Sequence, residues 1–152
     1  MSEVTLALES PRQADVGRLL EALDAYQSAL YPAESNHFLD VEALAGPAVR
    51  FFVARRGGLA LGCVALRIDS GGYGELKRMY VTPEARGMSL GRQLLERVEA
   101  EARSEGLELV RLETGIHQPE ALGLYRDAGY REREPFGDYA PDPLSVFMEK
   151  RL

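Results

Sequence analysis

The feature that most constrains this chain is the segment from Glu75 to Arg92, where a strand pattern changes into a helix pattern through a short loop of small residues. The apolar residues up to Val81 are typical of a strand, a proline ends it, and Arg86-Gly87-Met88-Ser89-Leu90-Gly91 leads into an amphipathic run. A strand, a glycine turn and a helix N-terminus in this order present unpaired backbone N–H groups to an anion. The segment therefore predicts a phosphate site, to which Arg86 and Arg92 add charge-assisted donors.

Length and charge limit the classes of protein that the chain can belong to. The 152 residues suit one domain with its own core, so we expect residues 1–152 to form a single domain. The net charge of −6 argues against a general nucleic-acid-binding protein, because such proteins carry a basic stripe. There is no leader-like start and no apolar stretch near the roughly 18 residues of a membrane span. We expect a cytoplasmic protein without a membrane or nucleic-acid partner, and we predict no metal ion.

Hydrophobic periodicity predicts the element order β-α-α-β-β-β-α-β-α-β. The first helix is predicted over about 11–30, with Ser10 as its N-cap and Pro11 at its first position, and Asp40 is predicted to cap a second, short helix. The predicted strands are Val4–Leu8, Val49–Arg55, Leu59–Ile68, Tyr73–Val81, Leu107–Glu113 and Ser145–Glu149. Two later helices are predicted to end at Gly106 and Gly129. The three strands between residues 49 and 81 are predicted to form an antiparallel meander. The strand–helix–strand unit at 74–112 implies a parallel or splayed pair of strands. The predicted class is therefore a mixed α/β sheet flanked by helices.

Two common phosphate-binding patterns do not fit the turn. It lacks the Lys-[Ser/Thr] pair that ends a P-loop. It also lacks the Gly-x-Gly-x-x-Gly spacing of dinucleotide-binding folds, and its strand is the fourth in order rather than the first. We therefore expect neither nucleoside triphosphate hydrolysis nor dinucleotide binding.

The turn resembles the acyl-CoA motif of the GCN5-related N-acetyltransferases (GNAT), [Arg/Gln]-x-x-Gly-x-[Gly/Ala]. A second segment, from Ala121 to Tyr130, resembles that family's Ala-x-x-x-Tyr-x-x-x-Gly-[Phe/Tyr] helix end. The resemblance covers essentially the whole chain and implies the acyl-CoA N-acyltransferase fold, a mixed, mostly antiparallel sheet with splayed central parallel strands. Two positions depart from the family pattern: Ser89 replaces a glycine, and Gln118 stands where many members have an asparagine.

The resemblance implies an enzyme that moves an acetyl group from acetyl-CoA directly to a primary amine of a small molecule or peptide. Backbone groups of one strand would bond the pantetheine arm, and the N–H groups of the turn would bond the pyrophosphate. The cofactor-binding residues that it implies are Met79, Tyr80, Val81, Arg86, Gly87, Met88, Ser89, Leu90, Gly91, Arg92, Gln118 and Tyr125. The alternative is a non-catalytic acyl-CoA-binding sensor.

Acetyl transfer to an amine needs a base, because an alkylammonium is not a nucleophile, and a proton for the departing thiolate. The resemblance implies Glu75 as the base and Tyr125 as the proton donor to sulfur. Glu75 can instead pair with Lys77 or a neighbouring strand, and Tyr125 can be an ordinary core residue. His117 is a second acid–base candidate, because the unperturbed pKa of histidine is near neutrality.

Aromatic and polar residues near two loops predict the acceptor site. Tyr26, Tyr31, Asn36 and His37 lie around the break after the first helix, and Tyr139 lies in a proline-rich loop at 135–143. The alternative is that these are ordinary surface loops. An acidic protein fits a cationic small molecule or a basic peptide terminus as the acceptor. Self-association is common in the GNAT family, so a homodimer is a further expectation.

Overall fold

The structure, a computed structural model, describes residues 3–36 and 39–152. Its strands and helices follow one another as β1 (Val4–Leu8), α1 (Ala14–Leu30), α2 (Val41–Leu44), β2 (Val49–Arg56), β3 (Leu59–Ile68), β4 (Gly74–Val81), α3 (Leu90–Ser104), β5 (Leu109–Gly115), α4 (Pro119–Asp127), β6 (Arg131–Arg133) and β7 (Ser145–Arg151). Single 3₁₀ turns lie at Ala33–Ser35 and Pro83–Ala85. None of the helices in this part of the chain is both long and apolar enough to cross a lipid bilayer.

Within the described residues, seven strands form one sheet in the order β1-β2-β3-β4-β5-β7-β6. The pairs are antiparallel except for β4 and β5, which run parallel at the centre of the sheet. A parallel pair needs a crossover connection, and α3 supplies it by carrying the chain from β4 to its parallel neighbour. The predicted mixed sheet with central parallel strands is confirmed.

Helices cover both faces of the sheet and bury its apolar side chains. The apolar stripe of α3, which includes Leu94, Leu95 and Val98, packs on one face together with α4. On the other face, α1 and α2 cover Phe51, Val53 and Cys63. The central part of the sheet is therefore covered by helices on both sides.

Some predicted boundaries are wrong. Helix α1 begins at Ala14 rather than 11, because Ser10 accepts a hydrogen bond from the Arg12 N–H in a turn and does not cap the helix. Strand β5 begins at Leu109 and β7 continues to Arg151. The short strand β6 was not predicted, because its three residues, Arg-Glu-Arg, carry no apolar alternation. Asp40, in contrast, caps α2 as predicted, accepting a hydrogen bond from the Ala43 N–H.

Candidate active site

The two parallel strands separate along most of their length. In the described chain, β4 and β5 are paired at Gly74–Val110 and Glu75–Arg111, and no further pairs follow towards their C-terminal ends. Backbone N–H and C=O groups that lie in a buried seam need hydrogen-bond partners. The seam between Met79–Val81 and β5 therefore suits an extended ligand chain that supplies them.

A bulge in β4 lies shortly after the last β4–β5 pair. Arg78 adopts a left-handed conformation with φ 57°, and the β3–β4 register shifts between Cys63 and Ala65. The Cys63 thiol donates to the Arg78 carbonyl at 3.4 Å, and the Arg78 guanidinium is ion-paired with Asp24 on α1. Bulges bend and twist the strand that carries them, so these contacts set the direction in which β4 continues past Arg78.

A groove of about 430 Å³ runs along the C-terminal half of β4 to the N-terminus of α3. The predicted cofactor residues that line it are Met79, Tyr80, Val81, Arg86, Gly87, Ser89, Leu90, Gly91, Arg92 and Gln118. Met88 does not line it, because its side chain packs against the core with its sulfur 4.0 Å from Arg56. Tyr125 lies instead in an adjoining cleft. The groove therefore assembles the turn, the strand and the two arginines on one surface.

The turn at the end of the groove has an unusual backbone. Gly87 has φ 88° and Ser89, the N-cap of α3, has φ 57°. Positive φ values place successive N–H groups in orientations that form anion-binding concavities. Gly91 allows close contact between helices, because a Cβ there would lie 3.2 Å from Leu124 on α4. The family's preference for glycine at position 89 thus has a local reason, since a serine there carries backbone strain.

Replacement of Ser89 by glycine should stabilise the protein. Because the left-handed conformation costs an L-residue about 1–2 kcal/mol and a glycine loses about 0.5–1 kcal/mol of chain entropy, we expect a gain of about 0.5–1 kcal/mol in the free energy of unfolding. Urea unfolding checks this. Ser89→Ala is the control, because it removes the hydroxyl and keeps the strain. Equal stability of the two variants would show that the backbone at Ser89 is not strained.

A second opening, a polar cleft of about 120 Å³, continues from the groove into the seam. The two share five lining residues: Leu23, Met79, Gln118, Ala121 and Leu124. The cleft brings together Glu113 on β5, Tyr125 on α4 and Lys77 on β4. An acyl group that ends a chain lying in the groove would therefore meet a carboxyl and a phenol in the cleft.

Glu113 is a residue of this cleft that the sequence prediction did not single out. Burial raises its pKa to about 7, and a hydrogen bond from the Ser145 hydroxyl, 2.8 Å from Oε2, acts in the opposite direction. Lys77 also lowers the pKa of Glu113, whereas Glu75 and Asp142 raise it. A carboxylate with a pKa near neutrality is suited to accept a proton.

Glu75, the predicted base, lies in a buried network. Its side chain is 3 % exposed. Oε1 accepts from Arg67 at 2.8 Å, Oε2 accepts from the Tyr139 hydroxyl at 2.6 Å, and the Lys77 ammonium is 3.5 Å from Oε2. Both oxygens are thus engaged, and Glu75 lines a separate cavity with Tyr139. These contacts match the alternative given for Glu75, in which its carboxylate pairs with Lys77 or with a neighbouring strand.

Tyr125 is a buried phenol in the cleft. Burial and the nearby Glu113 raise its pKa well above the ordinary value of a tyrosine, so it stays protonated at neutral pH. Its ring is 5.9 Å from that of Tyr130, and both belong to the core around α3 and α4. The residue therefore combines the core packing typical of a helical aromatic with a hydroxyl available as a proton donor.

Tyr31 fastens the end of α1 to the loop after β5. Its hydroxyl accepts from the His117 N–H at 3.1 Å and donates to the Gln118 side-chain oxygen at 3.2 Å. The His117 ring stacks on Tyr31 with centroids 5.6 Å apart, and the histidine is exposed outside the cleft. A Cβ at Gly115 would overlap the Tyr31 hydroxyl, so only glycine leaves room for this contact.

The predicted acceptor residues are divided among the openings. Tyr31 and Asn36 line the polar cleft, and Tyr26 lines the groove along β4. Tyr139 lines the separate cavity beside Glu75. His37 lies outside the described residues. Tyr26 and Tyr31, although both on or next to α1, line different openings, and the acceptor role of these residues stays a prediction.

Comparison with known proteins identifies the family. The sequence profile of the acetyltransferase (GNAT) family matches residues 17–130. The chain belongs to this family. A relative from Azospirillum brasilense, named IAA acetyltransferase, is 58 % identical over 153 residues that cover 100 % of both chains. The protein is thus an acetyltransferase, and acetyl-CoA is its acyl donor.

Solved structures agree with this assignment. A crystal structure from Klebsiella pneumoniae, described as an acyl-CoA N-acyltransferase, has a TM-score of 0.83 and 41 % identity and covers 98 % of this chain and 97 % of that chain. The PaiA N-acetyltransferase of Thermoplasma acidophilum, solved with coenzyme A, has a TM-score of 0.74, 18 % identity and coverage of 99 % of each chain. The similarity to the Thermoplasma acidophilum structure shows the fold alone.

Proposed function

We propose that this acetyltransferase moves the acetyl group of acetyl-CoA directly to a primary amine of a small molecule or peptide, with Glu113 as the base and Tyr125 as the acid. The observation that carries the proposal is the continuity of the groove and the cleft, which share Met79, Gln118 and Leu124. A donor in the groove then presents its thioester where a base and a proton donor already lie.

The donor is held mainly by backbone groups in this proposal. The pantetheine arm takes the place of the missing strand partner along Met79–Val81, and the N–H groups between Gly87 and Gly91 bind the pyrophosphate. Arg86 and Arg92 add positive charge at the rim of the groove. In this proposal, a backbone N–H near Val81 polarises the thioester carbonyl.

Glu113 removes the proton of the acceptor amine as the nitrogen attacks the carbonyl carbon. Its pKa of about 7 makes it ionised in a large fraction of molecules at neutral pH while it remains basic enough to accept the proton. Tyr125 then donates its phenolic proton to the departing sulfur, and its raised pKa keeps that proton in place until it is needed.

The chemistry of Cys63 favours direct transfer over an acetyl-enzyme. This cysteine is the only one in the chain, it is fully buried, and burial raises its pKa to about 12. A thiol in this state is a poor nucleophile. Initial-rate kinetics with both substrates should therefore give intersecting rather than parallel double-reciprocal lines.

A thiol-release assay tests the proposed function. The purified protein is given acetyl-CoA and a panel of small amines, polyamines, amino acids and peptides with free N-termini, and acetylated products are identified by mass spectrometry. We expect coenzyme A release that depends on one class of amine. Tight binding of acetyl-CoA by calorimetry without turnover on any amine would contradict the proposal and favour a sensor.

Removal of the Tyr125 hydroxyl should lower turnover more than it raises KM for acetyl-CoA. Tyr125→Phe keeps the ring contacts with Tyr130 and loses the proton donor, so we expect kcat to fall about 10- to 100-fold. Steady-state kinetics with the best acceptor measure both constants. A raised KM with unchanged kcat would assign Tyr125 to donor binding alone.

Removal of the Ser145 hydroxyl should shift the pH profile. This hydrogen bond stabilises the ionised form of Glu113, so its loss raises the pKa of Glu113, and the base is then ionised only at higher pH. We expect the acidic limb of kcat/KM to move upward by roughly one pH unit in Ser145→Ala. Ser145→Thr keeps a hydroxyl and is the control. If the acidic limb of kcat/KM does not move in Ser145→Ala, the ionisation that this limb reports is not that of Glu113.

A further inference from the structure

The separate cavity beside Glu75 adjoins the polar cleft. It measures about 450 Å³ and lies between β3, β4 and the loop before β7. Lys77 lines both openings, so its side chain forms the boundary between them. Leu39, Tyr73 and Tyr139 give the cavity an apolar and aromatic wall. The two openings therefore meet at Lys77, and one molecule that occupied both would lie along this side chain.

The Lys77 ammonium is held in place at this boundary. Its side chain is 11 % exposed, and Nζ donates to the Tyr139 hydroxyl at 2.7 Å, which in turn donates to Glu75. Arg67 lines the same cavity and donates to the other oxygen of Glu75, and it is also 3.1 Å from Asp69. Two cations are thus fixed on one buried carboxylate.

The carboxylates near Lys77 and Arg67 differ in their exposure and in their hydrogen-bond partners. Glu75 is enclosed and both of its oxygens are engaged, so it presents little surface to a ligand. Asp138 is exposed on the loop, and Asp142 accepts from Ser35. In the cleft itself the charged lining residues are Lys77, Arg78 and Glu113, and Arg78 is ion-paired with Asp24.

The charge that remains in the cleft bears on which amines fit it. When Glu113 takes the proton of the acceptor ammonium, the amine becomes neutral, and Lys77 keeps its positive charge beside it. A carboxylate on the acceptor turns the same ammonium into a binding partner. An ion-paired hydrogen bond in a partly buried site contributes more than one between neutral groups.

We infer that the acceptor is an amine that carries a carboxylate a few bonds from its nitrogen. Its amino group lies at Glu113, its carboxylate lies on the Lys77 ammonium, and its apolar or aromatic body lies between Tyr73 and Tyr139. The inference rests on the proposed function, since it assigns the substrate class of that site. It makes Lys77 a specificity-determining residue.

Matched acceptors test the inference without any mutation. Phenylalanine, phenylalaninamide and phenethylamine share one aromatic body and one amino group, and only the first carries a carboxylate. We expect kcat/KM of the unaltered enzyme to be at least tenfold higher for the amino acid than for either analogue. Aliphatic pairs, such as leucine and isoamylamine, show whether the aromatic body matters.

Variants at Lys77 test whether this residue recognises the carboxylate of the acceptor. Lys77→Met should lower kcat/KM for the amino acid about tenfold or more relative to the analogues, so the preference disappears. Because Lys77 also lowers the pKa of Glu113, all acceptors are compared at a pH high enough to ionise Glu113 in both proteins. Lys77→Arg keeps the charge and should keep the preference. Arg126→Met, at an exposed residue paired with Glu132, is the control for removal of a positive charge elsewhere. Thermal unfolding of each variant separates loss of fold from loss of recognition.

The outcomes separate this inference from the proposed function. Equal or faster transfer to the amines without a carboxylate would overturn the inference and leave the acetyltransferase activity intact. A carboxylate preference that survives in folded Lys77→Met would overturn the role of Lys77. Absence of transfer to every amine tested would overturn the proposed function and this inference with it.

Discussion

Substitution of Glu113 by glutamine is expected to lower kcat about 100-fold or more, because general base catalysis typically contributes 10²- to 10⁴-fold. The amide keeps the size and polarity of the side chain in the cleft and can still accept from the Ser145 hydroxyl. It cannot take up the proton of the amine. Coenzyme A affinity, measured by calorimetry, should stay within a few-fold of the unaltered value, because Glu113 does not line the donor groove.

Two comparisons make this expectation specific to Glu113. Glu132→Gln alters an exposed glutamate on β6 and should leave kcat unchanged. Glu75→Gln alters the other candidate base, which is bonded to Arg67 and Tyr139, and should act mainly on stability. A larger loss of kcat in folded Glu75→Gln than in Glu113→Gln would assign the base to Glu75.

Substitution of Gly115 by alanine is expected to affect both stability and activity. The added methyl group would overlap the hydroxyl and ring of Tyr31, so the Tyr31 side chain must leave its position. The contacts of its hydroxyl with the His117 N–H and Gln118 are then lost. We expect a loss of about 1–3 kcal/mol in the free energy of unfolding and at least a tenfold fall in kcat/KM.

A matched glycine and a double variant check the reason for this effect. A Cβ at Gly123, in the interior of α4, meets no atom within 4 Å, so Gly123→Ala should stabilise the protein by about 0.5–1 kcal/mol. In a Tyr31→Ala background, Gly115→Ala should cost little, because the overlapping ring is gone. A full cost in that background would show that the strain at Gly115 has another source.

The residues that we assign to donor binding could largely be selected from sequence, because they are close together in the chain. The turn from Arg86 to Gly91 and the end of β4 are consecutive in the chain, so their order alone places backbone N–H groups beside a strand end. Met88 is an exception, since it is consecutive with the others and yet turns towards the core. The direction of a single side chain within a turn depends on packing, which a motif does not contain.

The residues that we propose for acid–base chemistry could only partly be selected from sequence, because they come from distant segments. Glu113 ends a strand pattern and looks like an ordinary polar terminus, while Ser145 and Lys77, which act on it, lie 32 and 36 residues away. One signal was present. Ligands bind beyond the carboxyl ends of parallel strands, and Glu113 lies near that end of β5, beside its parallel neighbour. Glu75, in contrast, lies at the closed end of the seam.

The seam has a consequence for the stability of the whole molecule. The four-strand part of the sheet, β1 to β4, and the three-strand part, β5 to β7, are joined at two register pairs in the described chain, so the sheet has little cross-linking of its own at its centre. In the proposed binding mode, the donor supplies the missing connection and acts as a removable strand. Binding to the native state alone adds about 2.7 kcal/mol at a ligand concentration of 100 Kd. Melting temperatures of this protein therefore have meaning only at a stated concentration of coenzyme.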